Sequence, residues 1–212
     1  MPIQLRPVRV GFVVDKFALT DFSSEYFRFP LLVSFHLSLG NKAFYANQDL
    51  FKSKLLTKNS KLRMYKTLVS PVVTYACETW LLKENIKTKL RAFERKVLRR
   101  IYGPTEEKDG TWIKSNEELN RLTGNKNIIN HIKAQRLAWF GQVHRMADNS
   151  MVKKVYKCSP ALTRSLGRPK NRWEDDVKRD ITRMKITNWK DCIRDRTKWK
   201  TLVEKAKTSL KL

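Results

Sequence analysis

Asp175 and Asp176 stand side by side in the segment GRPKNRWEDDVKRD, behind a knot of arginine, lysine and proline. Paired aspartates on a strand hairpin can hold the two metal ions of a nucleotidyl-transfer site, so this pair is the first pattern here that could do chemistry. Such a site needs two carboxylates that converge and a further acid from a separate element. On a helix turning about 100° per residue, Trp173, Val177, Ile181 and Met184 fall within about 80° of one another, Asp175 points nearly opposite them, and Asp176 lies to one side. The two carboxylates diverge. Glu174 and Asp175 instead precede Lys178 and Arg179 by four residues, the acid-first order of stabilising helix pairs, and acids near a helix start suit its dipole. The segment therefore predicts a helix with no catalytic residue and no metal ligand.

The other reactive residue types are sparse. Cys77, Cys158 and Cys192 are scattered, which predicts neither a disulfide framework nor a CxxC metal site and suits a reducing compartment. His131 and His144 lie thirteen positions apart, and neither has a nucleophile or carboxylate at helical spacing, so both read as polar or capping side chains.

Charge is where the sequence departs from the ordinary. The 212 residues hold 45 Lys and Arg against 20 Asp and Glu, a formal charge of +25, while 41% hydrophobic residues with six Trp and ten Phe provide for a core. Such a field favours polyanions, nucleic acid foremost. In NIKTKLRAFERKVLRRIYGP, the apolar Leu90, Phe93, Val97, Leu98 and Ile101 repeat at helical spacing, with Asn85 as the expected N-cap and Gly103 and Pro104 as the stop. The remaining faces carry Arg91, Arg95, Lys96, Arg99 and Arg100, a cluster suited to phosphate contact. A second basic group, Arg164, Arg168, Lys170 and Arg172, surrounds GRPK, which resembles the core of an AT-hook except that Leu166 replaces the usual arginine before the glycine. It gives a second reading, a DNA-binding or scaffold protein using a minor-groove loop.

The elements that position these groups read as mainly α. Residues 1–40, Phe-rich and punctuated by Pro2, Pro7, Pro30 and Gly40, are expected to be irregular and unrelated to the rest. Residues 41–147 are expected to form a helical region, with Leu55, Leu62, Tyr65, Leu68 and Val69 near a helical repeat. In PVVTYACETW, Pro71 sits in a first turn and either Val72, Ala76 and Thr79 or Val73, Cys77 and Trp80 form the buried stripe. Ser115 and Glu118 suggest a capping box, with Gly124 ending that helix. Ile129, Ile132, Trp139, Phe140 and Val143 predict one face of the next. Residues 148–171 read as a basic linker and 172–212 as a helical tail, with Trp173, Trp189 and Trp199 as core anchors and Asp195 starting a new helix. No apolar run is long enough to span a bilayer and no signal peptide is evident, so the expectation is an intracellular protein, nuclear or cytoplasmic, without a membrane partner.

The ordered blocks LRMYKTLVSPVVTYACETW, LRAFERKVLRRIYGP, RLAWFGQVHRM, GRPKNRWEDDVKRDI and NWKDCIRDRTKWKTLVEKA resemble the C-terminal, post-palm part of reverse transcriptases encoded by non-LTR, LINE-type retrotransposons. The match runs from about Gly40 to Lys207. The preceding VGFVVDKFALTDFSSEYFRFP more nearly resembles a translated piece of another dispersed repeat, which suggests a truncated, chimeric reading frame. The resemblance implies a thumb-like helical bundle that grips template and primer backbones, with RNA, DNA or their hybrid as partner and the palm as natural packing partner. It also implies that the family's endonuclease and the palm aspartates that bind Mg fall outside the matched blocks, leaving no cofactor and no enzyme activity on these residues. WEDD belongs to the family's tail block, and the family's usual cysteine-rich tail has no counterpart. The reading that follows is residual, sequence-independent nucleic-acid binding, with a relic reading frame of no function as the further alternative.

Overall fold

The computed structural model describes residues 28–104, 114–124, 126–158 and 172–208, the side chains of 28–32 excepted. Every regular element among them is helical, with no strand, as the mainly α expectation required. The first, α1 (Arg28–Ala46), is a 19-residue helix, so residues 28–40 are helical and not irregular. Two residues prompted the opposite expectation, and both have a place in this helix. Pro30 lies in the first turn, where its missing N–H costs nothing. Gly40 marks a crossing so close that a Cβ there would come within 2.1 Å of Val73 Cγ2.

A short α2 (Gln48–Lys52) buries Phe51. Leu55 falls in the break after it and is 95% exposed, so the expected repeat does not begin there. Thr57 caps α3 (Lys58–Met64), its side chain accepting the Ser60 N–H. That helix runs straight into a π turn, Tyr65–Val69, and then into α4 (Ser70–Val73), which has Pro71 near its start. A proline ring clashes with the carbonyl four residues back, and the widened π turn relieves that clash without breaking the rod. The chain then reverses through Ala76, at φ 53°, into a 3₁₀ turn, Cys77–Thr79. Of the two expected stripes, the buried one is Val73, Cys77 and Trp80.

Helix α5 (Glu84–Tyr102) starts two residues before the expected position: Lys83 occupies the N-cap and Asn85 lies inside the helix. Gly103 ends it at φ 72°, the left-handed region that favours glycine. Ser115 caps α6 (Asn116–Leu122) as anticipated, but the Glu118 carboxylate goes to Lys114, 2.7 Å away. Gly124 follows at φ 61°. Asn127 caps α7 (Ile128–Arg145) by accepting the Asn130 N–H at 2.8 Å.

The expected linker 148–171 is regular in its described part, where Ser150 caps α8 (Met151–Lys157); residues 159–171 lie outside the described residues. The tail holds α9 (Trp173–Arg183), α10 (Trp189–Arg194) and α11 (Arg196–Thr208). Asp195 separates the last two and starts α11 as expected, its carboxylate accepting the Thr197 and Lys198 N–H groups.

Two apolar cores result. One gathers α1 to α5 with Ile128, Ile129 and Ile132 from the start of α7. The other gathers Ala134, Leu137 and Phe140 of α7 with Val177, Ile181, Ile193, Trp199 and Val203 of the tail, against which Trp173 and Trp189 pack half-buried. Helix α7 thus belongs to both, its first turns to one core and its middle to the other. Trp173 Nε1 also donates to Glu78 O at 2.8 Å, a second tie between tail and upper bundle.

Candidate nucleic-acid interface

The basic face is built by burying its opposite. Counting from Arg91 at about 100° per residue, the buried Ile86, Leu90, Phe93, Glu94, Val97, Leu98 and Ile101 span about 200° to 340° of α5. Arg91, Arg95, Arg99, Lys96, Lys89 and Arg100 occupy the remaining half-cylinder, from about 0° to 180°, together with the exposed acid Glu84 near 20°, which is bridged to Lys87 at 2.7 Å. Burial of Leu90, Phe93, Val97, Leu98 and Ile101 is what the apolar spacing predicted. It fixes which way the cations face.

These cations are not equivalent. Lys96 reaches back to α1, donating to Tyr45 Oη at 2.6 Å with its ammonium 4.6 Å from the ring centroid, so it is held in place yet exposed. Arg99 is engaged within the protein, donating to Lys114 O at 3.3 Å and Asn116 Oδ1 at 2.8 Å, and it orients the start of α6. Arg91 and Arg100 are exposed and Arg95 half-buried, which makes these three the ones best placed to meet phosphates. Arg172 is exposed at the N-cap of α9, away from the α5 group in sequence and element. Arg164, Arg168 and Lys170, with the GRPK loop, lie outside the described residues.

Asp176 and the neighbouring Glu174 are taken up in charge pairing. Glu174 and Lys178 make the expected bridge at 2.7 Å. Asp176 faces α7, where its Oδ2 accepts from Arg136 Nη2 at 2.7 Å, and Arg179 approaches its other oxygen at 3.4 Å. Arg179 also donates to the Asp175 carbonyl oxygen. The residue that spacing missed is Asp180: 3% exposed, its carboxylate accepts from Lys133 Nζ at 2.7 Å, with Arg136 Nη1 at 3.8 Å. Lys133 and Arg136 are themselves 2% and 1% exposed, so the α7–α9 contact is made across a desolvated ionic cluster. Burial pulls the Lys133 amine below its ordinary range, against which the Asp180 charge acts. Breaking one partner of such a cluster is costly even where the intact cluster contributes little.

Of the other reactive groups, Cys77, His131 and His144 are taken up in packing, Cys192 is half-buried and Cys158 is exposed. Burial pushes the Cys77 thiol up to about 12, with the Glu78 charge adding to the effect, so it carries no thiolate at neutral pH. His144 Nδ1 hydrogen-bonds to Phe140 O at 2.9 Å and its ring sits among Phe140, Tyr156 and Trp189. His131 is half-buried, and desolvation lowers its pKa. Among the described residues no three His, Cys, Asp or Glu side chains are grouped to hold a metal ion, and no helix is long and apolar enough to cross a membrane.

No family model matches the chain, and no solved structure does. Over 158 residues it is 23% identical to an uncharacterized transposon-derived protein of Caenorhabditis elegans, a match covering 72% of this chain and 57% of that protein. The chain therefore spans little more than half the length of that relative. The similarity supports a transposable-element origin for the matched region.

Proposed function

We propose that the chain is the thumb-and-tail part of a non-LTR retrotransposon reverse transcriptase, and that its own activity is sequence-independent binding of nucleic acid through the outer half of α5. The observation that carries this reading is the division of α5: one side is given to the core, where Glu94 is turned inward, and the other carries six exposed or half-buried cations against one exposed acid, Glu84, which is bridged to Lys87. Several cations within a Debye length of one another suit a phosphate backbone and read no base sequence. The transposon-derived relative and the order of the five sequence blocks support the parentage. The reading assigns these residues no catalysis, since the palm carboxylates and their Mg would belong to another part of the parent enzyme. Titrating salt against affinity for a labelled RNA–DNA hybrid tests it: log affinity falls steeply with log salt for phosphate contact, and a flat line or no binding at low salt sinks the proposal.

A further inference from the structure

A second basic surface lies on the tail, remote in sequence from α5. An open groove of about 580 Å³ runs between α7 and α11. Its floor is Ala134, Ala138, Trp199 and Val203; the α7 wall presents Gln135 and Gln142, and the α11 wall Arg196, Lys200 and Lys207. Those three cations fall within about 40° on the helix and span about 16 Å of its length. Arg145 closes one end, fixed by donating to Ile193 O at 3.1 Å. The acid on the lining, Glu204, is bridged to Lys207 at 2.7 Å, whereas Arg196 and Lys200 are exposed and have no ion pair among the described residues.

We propose that this groove takes a single strand of nucleic acid, Arg196 and Lys200 meeting successive phosphates while Gln135 and Gln142 face the bases. Charge complementarity names a polyanion. The dimensions choose the unpaired strand: a cleft of this volume holds a drug-sized group, on the order of two nucleotides, and excludes a duplex. Two amides, each donor and acceptor, satisfy any base edge without selecting one. The inference rests on the nucleic-acid reading above and deepens it, dividing labour between an α5 face for paired backbones and a groove for the unpaired one.

The test uses the full chain with two fluorescein-labelled probes, an oligothymidylate and a hairpin duplex of equal length, read by anisotropy over a salt series. For the double variant Arg196→Glu, Lys200→Glu, strand affinity is expected to fall at least tenfold while duplex affinity stays within about twofold. The neutral double variant Arg196→Ala, Lys200→Ala should flatten the strand's log–log salt slope by about 1.4, two contacts at about 0.7 each. Ala138→Leu, which fills the floor without altering charge, should weaken strand binding in the same selective way, with circular dichroism confirming that the variants stay helical. Equal losses for both probes, or none for the strand, would overturn the groove while leaving the α5 reading intact. Displacement of the strand by polyglutamate at matched charge would overturn it in favour of an acidic protein partner. Failure of the unaltered chain to bind either probe would remove both readings.

Discussion

Glu94 is a carboxylate turned inward on a predominantly cationic helix whose other acid, Glu84, is exposed. Its two oxygens accept the Ile128 N–H at 2.9 and 3.0 Å, so α5 caps the first turn of α7 from across the core. Burial raises its pKa to about 7 from the usual 4.5, more than the Ile128 bond and the Arg95 charge lower it. The folded chain then keeps this proton where the unfolded chain has lost it, and stability falls as pH climbs from about 4.5 to 7. Glu94→Gln should remove that loss, which is on the order of 3 kcal/mol. The melting temperature of the variant minus that of the parent should therefore rise through this window, and a difference that stays level with pH would refute the assignment. Asp180→Ala, leaving Lys133 buried without its partner, should cost about 3–5 kcal/mol in chemical denaturation, far more than Asp175→Ala. Spacing alone put Asp176 to one side of the apolar stripe, where it meets Arg136 of α7. It missed the ionic cluster because Lys133, Arg136 and Asp180 stand inside apolar stripes as charged interruptions: Asp180 falls next to Trp173 and Met184 on the wheel. That interruption was the available signal. Pairing across two helices 40 or more residues apart was not legible from either helix alone.

At the scale of elements, apolar spacing foretold α5, α7 and the tail helices, because each buries one stripe against neighbours on one side. It failed at α1, where Pro30 and Gly40 read as punctuation. Both are compatible with a helix, and Gly40 makes room for the Val73 side chain, a requirement visible only once Val73 is in place. The same economy recurs at Gly141, where a Cβ would fall 2.1 Å from Trp199 Nε1. Trp199 is held there by its bond to Leu137 O at 2.9 Å, so the atom in the way cannot swing aside freely. Gly141→Ala should push α11 off α7, costing about 1–3 kcal/mol and lowering the melting temperature by several degrees. The fluorescence of the displaced indole reports the same event, and an unchanged emission spectrum with unchanged stability would contradict this packing. The π turn was not legible because its period is set locally by Pro71 and by the need to keep Tyr65 and Val69 on the buried side.

For the whole molecule, the proposed binding would draw its affinity and salt dependence from the excess of 45 basic over 20 acidic residues more than from any single contact. Replacing Arg91, Arg95 and Arg100 together by Ala should reduce the salt slope for duplex DNA by about 2.7, whereas Arg99→Ala should loosen α6 and change that slope little. A titration in which all four replacements act alike would argue against the distinction between exposed and engaged arginines. Total charge could be read from composition; which cations remain outside after folding could not. Helix α7 adds a last consequence. Because Ile128, Ile129 and Ile132 belong to one core and Ala134, Leu137 and Phe140 to the other, neither core can open without stripping part of the same rod. The bundle and the tail are thus one cooperative unit: backbone amides along the centre of α7 should be the last in the protein to exchange with deuterium, and at a common rate.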